Sequence, residues 1–518
     1  MSADRPYFLT TPIYYVNDLP HLGHAYTTVA CDVVARFMRL DGRRVKFLTG
    51  TDEHGQKVER SAAARGQTPQ QFADEISAAF RGMADLLNIG HDDFIRTTEP
   101  RHIQGVEALW RELERRGEIY LGRFAGWYSV RDEAFYDQSE LVDGPNGTKT
   151  APTGADVEWL EEENYFFRLS AWQERLLAFY EANPDSIAPR SRRNEVISFV
   201  KGGLNDLSIS RTSFTWGIPV PGDPRHVIYV WLDALANYIT AIGYPDTKSD
   251  EFSTFWPADL HMVGKDILRF HTVYWHAFLM AAGLEPPRRV FAHGWWTVEG
   301  QKMSKSLGNF IPPRELVERY GRDPLRYFMM RELPFGSDGD FSHRAVVGRL
   351  NGDLANDFGN LAQRVLAMIN RNCGAAVPEP GEFAEADERL LGEARGLLGR
   401  VRPLIEEQAF HLALEAIWRV VGEANRYVDE QAPWAFRRTD PTRMATVLYT
   451  LAETLRHLAI LVQPFVPDAA ASLLDQLGVP EQARRFADLA TPLPPGRALP
   501  APHGIFPRYI EPEAAADG

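Results

Sequence analysis

The fold can be read from Tyr7-Phe-Leu-Thr-Thr-Pro-Ile-Tyr-Tyr-Val-Asn-Asp-Leu-Pro-His-Leu-Gly-His24, a short apolar run followed by a polar turn. Pro20 restricts Leu19 to an extended conformation, so a helix is predicted to begin near His21. Four more apolar runs end in the same way, and they are Val45–Leu48 before Thr49-Gly-Thr-Asp-Glu-His54, Val227–Val230 before Trp231-Leu-Asp233, Leu260–Val263 before Gly264-Lys-Asp266, and Val290–Ala292 before His293-Gly294. Strands alternating with helices predict a parallel sheet, with ligands beyond the carboxyl ends of its strands. The five turns are therefore expected to face one pocket.

Two other regions follow different patterns. Between residues 119 and 168, aromatic and polar residues mix with turn signals such as Asp143-Gly-Pro-Asn-Gly147, which indicates a small β-rich insertion. From about Ser342 the strands vanish and apolar residues recur at helical spacing, which predicts a helical bundle. The clearest examples are Leu397, Leu398, Val401, Leu404 and Ile405, then Leu414, Ile417, Val420, Val421, Ala424 and Val428, then the stretch 447–461. A proline-rich exit from residue 491 leads into a tail that is expected to be mobile.

Composition narrows the class of protein. The chain has 518 residues, a net charge of −14, 44% hydrophobic residues and two cysteines, which argues against a disordered chain or a disulfide scaffold. The N-terminus lacks an apolar leader, and the longest apolar stretch, near residues 455–466, is interrupted by polar residues and Pro464. We therefore expect a cytoplasmic protein with no membrane partner. The acidic balance disfavours a general nucleic-acid binder, so an RNA partner would have to meet local basic patches.

The first chemical motif is His21-Leu-Gly-His24 at the predicted helix start. A helix N-terminus carries partial positive charge, and two histidines three residues apart can both donate to phosphate oxygens. Gly23 would let a flat base or ribose approach the backbone. The plain alternative is a capped helix with two surface histidines.

The second motif is Gly300-Gln-Lys-Met-Ser-Lys-Ser-Leu-Gly-Asn309. Lys302 and Lys305 make a cationic loop that could close over a triphosphate and neutralise charge developing at the scissile phosphate. The alternative is an ordinary exposed basic loop. The spacing of a P-loop is found nowhere in the chain.

Together, the two motifs closely resemble the paired signatures of class I aminoacyl-tRNA synthetases. Within that class, several segments resemble the methionyl-tRNA synthetase family, namely Pro12-Ile-Tyr-Tyr15 with Asn17, Thr51-Asp-Glu-His-Gly55, Tyr229-Val-Trp-Leu-Asp233, Val263-Gly-Lys-Asp266 and His293-Gly294. The resemblance implies ATP, bound with Mg²⁺, as a substrate. It gives His21, His24, Lys302 and Lys305 catalytic roles on the phosphates, and it assigns Gly23, Asp266, Gly294, Lys302 and Lys305 to the ATP site.

The same resemblance implies a methionine pocket. Asp52 would pair with the α-ammonium group, and the thioether chain would be enclosed by Ile13, Tyr15, Trp231, Ala234, Leu235, Tyr238, Ile267, Phe270 and His271. Because methionine offers only a weak sulfur acceptor, its selection must rest on shape, aromatic contact and one donor, for which Tyr15 and His271 are candidates. Leu235 replaces a proline that some members carry. For Trp231 and Tyr238 the alternative is ordinary core packing.

The insertion departs from many relatives, which carry Cys-x-x-Cys zinc knuckles there. Gly126–Asp132 and Asp143–Thr150 contain no cysteine, so no structural zinc is expected. The insertion should instead be held by aromatic packing, for which the sequence offers Trp127, Tyr128, Phe135, Tyr136 and Trp159.

In the bundle, Asn360, Arg364 and Trp434 resemble the family's anticodon-reading positions. Single-stranded bases are read by stacking on aromatic rings and hydrogen bonding at their edges. The alternative interpretation is that Trp434 is a core residue and Arg364 a solvated charge. The implied partners are methionine, ATP and tRNA(Met), including the initiator tRNA.

The implied architecture is an α/β Rossmann-like parallel-sheet catalytic domain with a small β-rich connective insertion, followed by an all-α helical bundle anticodon-binding domain. The expected boundaries are 1–118 and 169–290 for the catalytic halves, 119–168 for the insertion, 291–345 for the lysine loop and stem-contact region, 346–500 for the bundle and 501–518 for the tail. A monomer is expected, because the chain ends soon after the bundle. The implied reaction is activation of methionine by ATP to methionyl-adenylate, followed by transfer to the 3′-terminal adenosine of tRNA.

Three rival functions remain open from sequence alone. One is a nucleotidyltransferase without an RNA substrate, which would leave the long bundle unexplained. Another is a non-catalytic tRNA-binding paralogue, although all four phosphate-contacting residues are present. The last is charging of leucine or isoleucine, which the absence of a large editing insertion disfavours.

Overall fold

The structure is a computed structural model that describes residues 5–132, 134–136, 138–143, 148–298, 301–302 and 311–511. The N-terminal half of the catalytic region contains β1 (Tyr7–Thr10), β2 (Tyr14–Tyr15), α1 (Leu22–Leu40), β3 (Val45–Asp52), α2 (Gln56–Ala64), α3 (Pro69–Leu86), β4 (Asp93–Arg96) and α4 (Pro100–Arg115). The insertion contains β5 (Ile119–Ser129), β6 (Ala134–Tyr136), β7 (Val142–Asp143), β8 (Lys149–Thr150) and β9 (Glu158–Phe167).

The second half of the catalytic region continues with α5 (Gln173–Ala182), β10 (Ile187–Ala188), α6 (Arg190–Lys201), β11 (Leu207–Ser208), β12 (Ser210–Arg211), β13 (Pro219–Val220), β14 (Asp223–Ile228), α7 (Val230–Thr240), α8 (Asp250–Phe255), β15 (Leu260–Gly264), α9 (Trp275–Ala282) and β16 (Val290–His293). The next region contains β17 (Trp296–Val298), β18 (Gln301–Lys302), α10 (Pro313–Tyr320), α11 (Arg322–Arg331), β19 (Gly339–Phe341) and α12 (His343–Arg349). A π-helical turn (Leu350–Gly359) leads to the bundle, which is formed by α13 (Asn360–Asn372), α14 (Glu385–Glu406), α15 (Phe410–Gln431), α16 (Pro441–Val462) and α17 (Pro467–Gln476).

The central sheet is parallel, as predicted. Its strand order is β10-β16-β15-β1-β3-β2, and β4 also pairs with β3. Because β1 lies in the middle between β15 and β3, the carboxyl ends of these strands and of β16 meet at one edge. The turns that follow them are therefore neighbours.

One of the five predicted strands is not in this sheet. Residues near Val227 belong to β14, which pairs antiparallel with β12 and β13 in a separate three-stranded sheet. The reason is the tight connection from β13 through Pro221 and Gly222, where Gly222 has φ +86°, since a short hairpin can join only antiparallel strands. The helix after β14 still reaches the same edge of the central sheet.

The insertion is an antiparallel sheet with the order β11-β9-β5-β6. Trp127 and Trp159 meet edge-on with ring centroids 5.5 Å apart, which agrees with the expected aromatic packing. The structure adds polar contacts around Asp132, which accepts hydrogen bonds from the Tyr136 hydroxyl at 2.9 Å and from Thr153.

The bundle has the predicted helices and core. Side chains such as Leu397, Val401, Ile417 and Val420 are fully buried. Helix α16 is long and apolar enough to cross a membrane, but 94% of its apolar window is buried, so it serves as the core helix of the bundle.

The tail does not behave as expected up to residue 511. Phe506 is buried, and the backbone of Tyr509 exchanges two hydrogen bonds with the Asn351 amide, at 2.8 and 3.2 Å. A side chain that satisfies both backbone groups of one residue holds the segment in place, so the prediction of a mobile tail is wrong for this part.

Candidate active site

A cavity of about 430 Å³ opens at the carboxyl edge of the central sheet. Residues from all five predicted turns line it, with Trp231 of the third turn lying at the start of helix α7, and the insertion contributes Arg131 and Asp132. Of the predicted site residues, those lining it are Ile13, Tyr15, His21, Gly23, His24, Asp52, Trp231, Ala234, Leu235, Tyr238, Asp266, Ile267 and His271. Phe270 and Gly294 lie directly beside it, since the neighbouring residues Ile267, His271, His293 and Trp295 all line its wall.

His21 and His24 cap the first turn of α1 together. His21 is the N-cap, and its Nδ1 accepts a hydrogen bond from the Gly23 N–H at 3.0 Å, while Nδ1 of His24 accepts from the His21 N–H at 3.2 Å. Because both Nδ1 atoms are acceptors, the proton of each neutral ring lies on Nε2, which makes both rings donors. Burial and the neighbouring His21 hold the pKa of His24 well below its usual range. The two ring Nε2–H groups are therefore candidate donors to a ligand, whereas the backbone N–H of Gly23 is already bonded to His21.

Close packing within the protein leaves no room for a side chain at either glycine of the predicted ATP site. A Cβ on Gly23 would come 2.9 Å from Cε1 of His21, so a side chain there would displace the capping ring. A Cβ on Gly294 would meet the Ser337 carbonyl oxygen at 2.2 Å. Both positions therefore require glycine for reasons that the sequence pattern did not reveal.

Asp52 ends β3 and is almost fully buried. Its backbone pairs with Tyr15 of β2, and its carbonyl oxygen accepts a hydrogen bond from Val16 N–H at 3.1 Å. A carboxylate at the end of a paired strand, inside a mostly apolar cavity, is well placed to bind a cationic group.

The apolar part of the cavity is built from stacked rings. Trp231 and Phe270 lie parallel, with centroids 3.7 Å apart and an interplanar angle of 6°. Tyr238 stacks on His261 at 4.1 Å. These contacts fix the shape of the wall before any ligand enters.

Both ring nitrogens of His271 form hydrogen bonds within the protein. Its Nδ1 lies 2.9 Å from the Ile267 carbonyl oxygen and its Nε2 lies 2.7 Å from the Tyr238 hydroxyl. Burial lowers the pKa of His271 to about 4, so the ring is neutral, donates from Nδ1 to the carbonyl and accepts from Tyr238. In this arrangement the ring has no second N–H for a sulfur atom, which leaves Tyr15 as the donor candidate.

Sequence reasoning missed several lining residues. They are Pro12, Tyr14, Thr27, Lys57, Arg131, Asp132, Val230, Gly264, His293 and Trp295. Five of them, Pro12, Tyr14, Val230, Gly264 and His293, lie inside the quoted motifs, so the motifs themselves could have indicated them. Arg131 and Asp132 come from the insertion, and only the folded chain brings them to the cavity.

Asp266 and Trp295 form one edge of the opening. The Trp295 indole N–H donates to Oδ1 of Asp266 at 3.1 Å, and the ammonium group of Lys265 lies 4.3 Å from the centre of the indole. Trp295 thereby orients the carboxylate that was predicted at the ATP site.

The lysine loop can be followed only in part. Strand β18 ends at Lys302, whose backbone pairs with Thr297 of β17. The side chain of Lys302 and the whole of Lys305 lie outside the described residues.

The predicted anticodon residues lie in the bundle. Asn360 and Arg364 are four residues apart on α13, and Arg364 donates to Asp429 of α15 at 2.9 Å. Trp434 lies in the short helix after α15 and is 53% exposed. It is therefore not a core residue. The ion pair between Arg364 and Asp429 joins α13 to α15.

No three histidine, cysteine, aspartate or glutamate side chains are grouped to hold a metal ion within the part of the chain that the structure describes. The two cysteines, Cys31 and Cys373, are both free.

Comparison with known protein families identifies the chain. Residues 7–366 match the model for class I tRNA synthetases of the methionine type, "tRNA synthetases class I (M)", and residues 377–517 match "Anticodon binding domain of methionyl tRNA ligase". The chain belongs to the methionyl-tRNA synthetase family. It is an ATP-dependent methionine–tRNA ligase of class I.

Relatives match over nearly the whole length. The methionine–tRNA ligase of Brucella suis biovar 1 is 58% identical over 512 residues, covering 99% of each chain. That of Mycobacterium tuberculosis strain H37Rv is 55% identical over 515 residues, covering 98% of this chain and 99% of the relative. These matches set aside the rival functions that the motifs alone left open.

Solved structures agree with the fold. The M. tuberculosis methionyl-tRNA synthetase in complex with methionyl-adenylate has a TM-score of 0.96 and 54% identity, covering 97% of this chain and 100% of the other. The apo form has a TM-score of 0.90 and 51% identity, covering 98% and 99%. The parallel-sheet region with its small antiparallel sheets, followed by a helical anticodon-binding region, is confirmed.

Proposed function

We propose that the cavity binds methionine and ATP side by side, with the amino acid held by Asp52 and the aromatic wall. The carboxylate of Asp52 would pair with the α-ammonium group. The thioether chain would lie among Ile13, Tyr15, Trp231, Ala234, Leu235, Tyr238, Ile267, Phe270 and His271. This proposal is supported by the convergence of these side chains, from separate elements, on one cavity.

The nucleotide half would lie over the start of α1. His21 and His24 would donate from Nε2 to phosphate oxygens, and Lys302 and Lys305 would approach the same phosphates from the loop. Gly23, Asp266 and Gly294 would seat the ribose and adenine, with ATP carrying its usual Mg²⁺. Attack of the methionine carboxylate on the α-phosphorus would form methionyl-adenylate and release pyrophosphate, and positioning with electrostatics would supply most of the rate.

The second step would transfer the methionyl group to the 2′-hydroxyl of the 3′-terminal adenosine of tRNA(Met), including the initiator tRNA. Asn360, Arg364 and Trp434 would read the anticodon. The exposed indole of Trp434 and the partly exposed guanidinium of Arg364 support this assignment.

The proposal extends to the localisation, the oligomeric state and the domain boundaries of the protein. We propose a cytoplasmic monomer without structural zinc, with the boundaries given above. In the insertion, a hydrogen-bonded cluster around Asp132 would supply the local cohesion that a zinc knuckle supplies elsewhere.

Two variants test the assignment of the two halves. Asp52→Asn should raise the KM for methionine about tenfold to a hundredfold and leave the KM for ATP unchanged, because it removes one charge-assisted hydrogen bond. His24→Asn keeps an acceptor for the His21 N–H but loses the outward donor, so kcat should fall by about 10²–10³ with methionine affinity unchanged.

ATP–pyrophosphate exchange, run across all the amino acids, measures both effects. Each variant serves as the other's control, since they are expected to affect different substrates. Equal changes in both KM values for either variant would contradict the assignment.

A further inference from the structure

Three consecutive residues at the end of β3 are held in different ways. Asp52 lines the cavity, whereas Glu53 and His54 are buried outside it, with exposures of 0% and 5%. The side chains of Glu53 and His54 bond two different neighbouring elements of the fold. The two buried residues must therefore determine how Asp52 is presented.

Glu53 is anchored on the side of β4. Its carboxylate accepts from the guanidinium of Arg96 at 2.6 and 3.0 Å and from the Thr98 hydroxyl at 2.6 Å. Its backbone N–H donates to the Thr97 hydroxyl at 2.9 Å. This set of bonds fixes the chain immediately after Asp52 to the neighbouring strand.

His54 is anchored in the opposite direction, to helix α7. Its Nδ1 lies 2.6 Å from Oδ2 of Asp233, whose other oxygen lies 2.7 Å from Nε2 of His102. His102 also lies 2.9 Å from the Thr240 hydroxyl through Nδ1. Asp233 and His102 are fully buried. Burial alone would raise the pKa of Asp233, but His54 and His102 outweigh it and lower that pKa, so the carboxylate stays ionised.

Asp233 lies on the part of α7 that lines the cavity. It lies between Trp231 and Ala234, and both of those residues line the cavity together with Leu235 and Tyr238. The bond from His54 to Asp233 therefore joins the strand end that carries the Asp52 carboxylate to the helix that carries the apolar wall.

We propose that His54 is a positioning residue for the amino acid, which sets the distance between the Asp52 carboxylate and the α7 wall. This rests on the proposed role of Asp52 toward the α-ammonium group. A bound methionine must place its ammonium group against Asp52 and its thioether chain against the α7 wall at the same time. If the distance between the two changes, one of these contacts is weakened whenever the other is kept. ATP meets neither end of the link and is unaffected.

The structure offers a matched control. His54 and His102 bond the same buried carboxylate at almost the same distance, so removing either costs a similar buried bond. Only His54 is two residues from Asp52. His54→Ala should raise the KM for methionine on the order of tenfold or more, with the KM for ATP unchanged. His102→Ala should lower thermal stability at least as much, because it also loses the bond to Thr240, but should change the methionine KM much less.

Rescue separates positioning from general damage. The amide nitrogen of asparagine can take the place of Nδ1, whereas that of glutamine falls nearer the place of Nε2. His54→Asn should therefore keep a methionine KM close to that of the unaltered enzyme, and His54→Gln should not. These two variants also carry the test if His54→Ala fails to fold.

The measurement is ATP–pyrophosphate exchange on the full chain, with thermal unfolding recorded for every variant. Equal increases in methionine KM for His54→Ala and His102→Ala, or no recovery in His54→Asn, would overturn the positioning role. Failure of the Asp52 assignment is recognised separately, because Asp52→Asn would then leave the methionine KM unchanged whatever the His54 variants do.

Discussion

The cavity and the proposed anticodon-reading surface of the bundle, formed by Asn360, Arg364 and Trp434, differ in how far they are exposed to solvent. In the cavity, Tyr238 is 1% exposed and its hydroxyl is already bonded to His271. On the bundle, Trp434 is 53% exposed and Arg364 forms a partly exposed ion pair with Asp429. One site is shaped before its ligand arrives, and the other presents its groups to solvent.

The difference follows from the ligands. Methionine has few atoms and one weak acceptor, so it can be selected only by a preformed, buried shape. An unstacked base brings a large flat face and many polar edge atoms, so an exposed ring and a solvent-accessible guanidinium suffice. Burial in the cavity and exposure on the bundle are therefore both consistent with the proposed roles.

The largest effect that distinguishes the cavity from the bundle is expected from Lys305→Ala. Loss of one ammonium group from the charged phosphates should reduce adenylate formation by about two orders of magnitude or more, since such electrostatic contacts act mainly in the transition state. Methionine binding, measured by equilibrium titration, should stay nearly unchanged. An exchange rate close to that of the unaltered enzyme would show that the loop lysine has no such role.

Trp434→Ala is expected to impair tRNA charging and to leave adenylate formation intact. Stacking of one base on an aromatic ring contributes about 1–3 kcal/mol, so kcat/KM for tRNA charging should fall roughly tenfold to a hundredfold. Pyrophosphate exchange should be unaffected, because Trp434 does not line the cavity and its ring is exposed to solvent. Equal loss of both activities would mean that Trp434 supports the fold instead.

The buried character of the catalytic region should also make it sensitive to acid. Burial lowers the pKa of His276 to about 3, and neither ring nitrogen has a hydrogen-bond partner among the residues that the structure describes. Below its ordinary pKa of 6.5 the unfolded chain takes up a proton that the folded chain refuses, so stability falls as pH drops from about 6.5 toward 3. His276→Phe should therefore reduce the stability lost between pH 7 and pH 5 by about 2 kcal/mol.

Urea titrations at the two pH values measure this loss. Phe179 packs on His276 with ring centroids 5.3 Å apart, so Phe179→Leu is a suitable control. It should lower stability by the same amount at both pH values. An unchanged pH dependence in His276→Phe would mean that this ring is already charged in the folded protein.

The central sheet and the bundle were predictable because each uses a simple periodic pattern. The runs at Tyr7, Val45, Leu260 and Val290 became neighbouring parallel strands, and the apolar spacing from Leu397 to Val428 became two core helices. The run at Val227 was misassigned to the central sheet, because Pro221-Gly222 was not recognised as the hairpin turn that makes its strand antiparallel.

The motifs also located most of the cavity, but not the state of its side chains. That His21 and His24 would lie on the first turn of a helix followed from Pro20 and the spacing of the two rings. That each ring accepts a backbone N–H through Nδ1 depends on side-chain rotamers, which no spacing specifies. The same holds for His271, whose bond to Tyr238 links two helices distant in sequence.

The amino-acid sequence by itself determined which chemical groups follow which strands, and hence the family, the substrates and the parallel sheet, because periodicity and short motifs act over a few residues. Only the tertiary structure decided that Asp233 would join His54 to His102, that the insertion would bring Arg131 to the cavity, and that the tail would lie against Asn351. These contacts join segments far apart in the chain, and their geometry depends on how whole elements pack together.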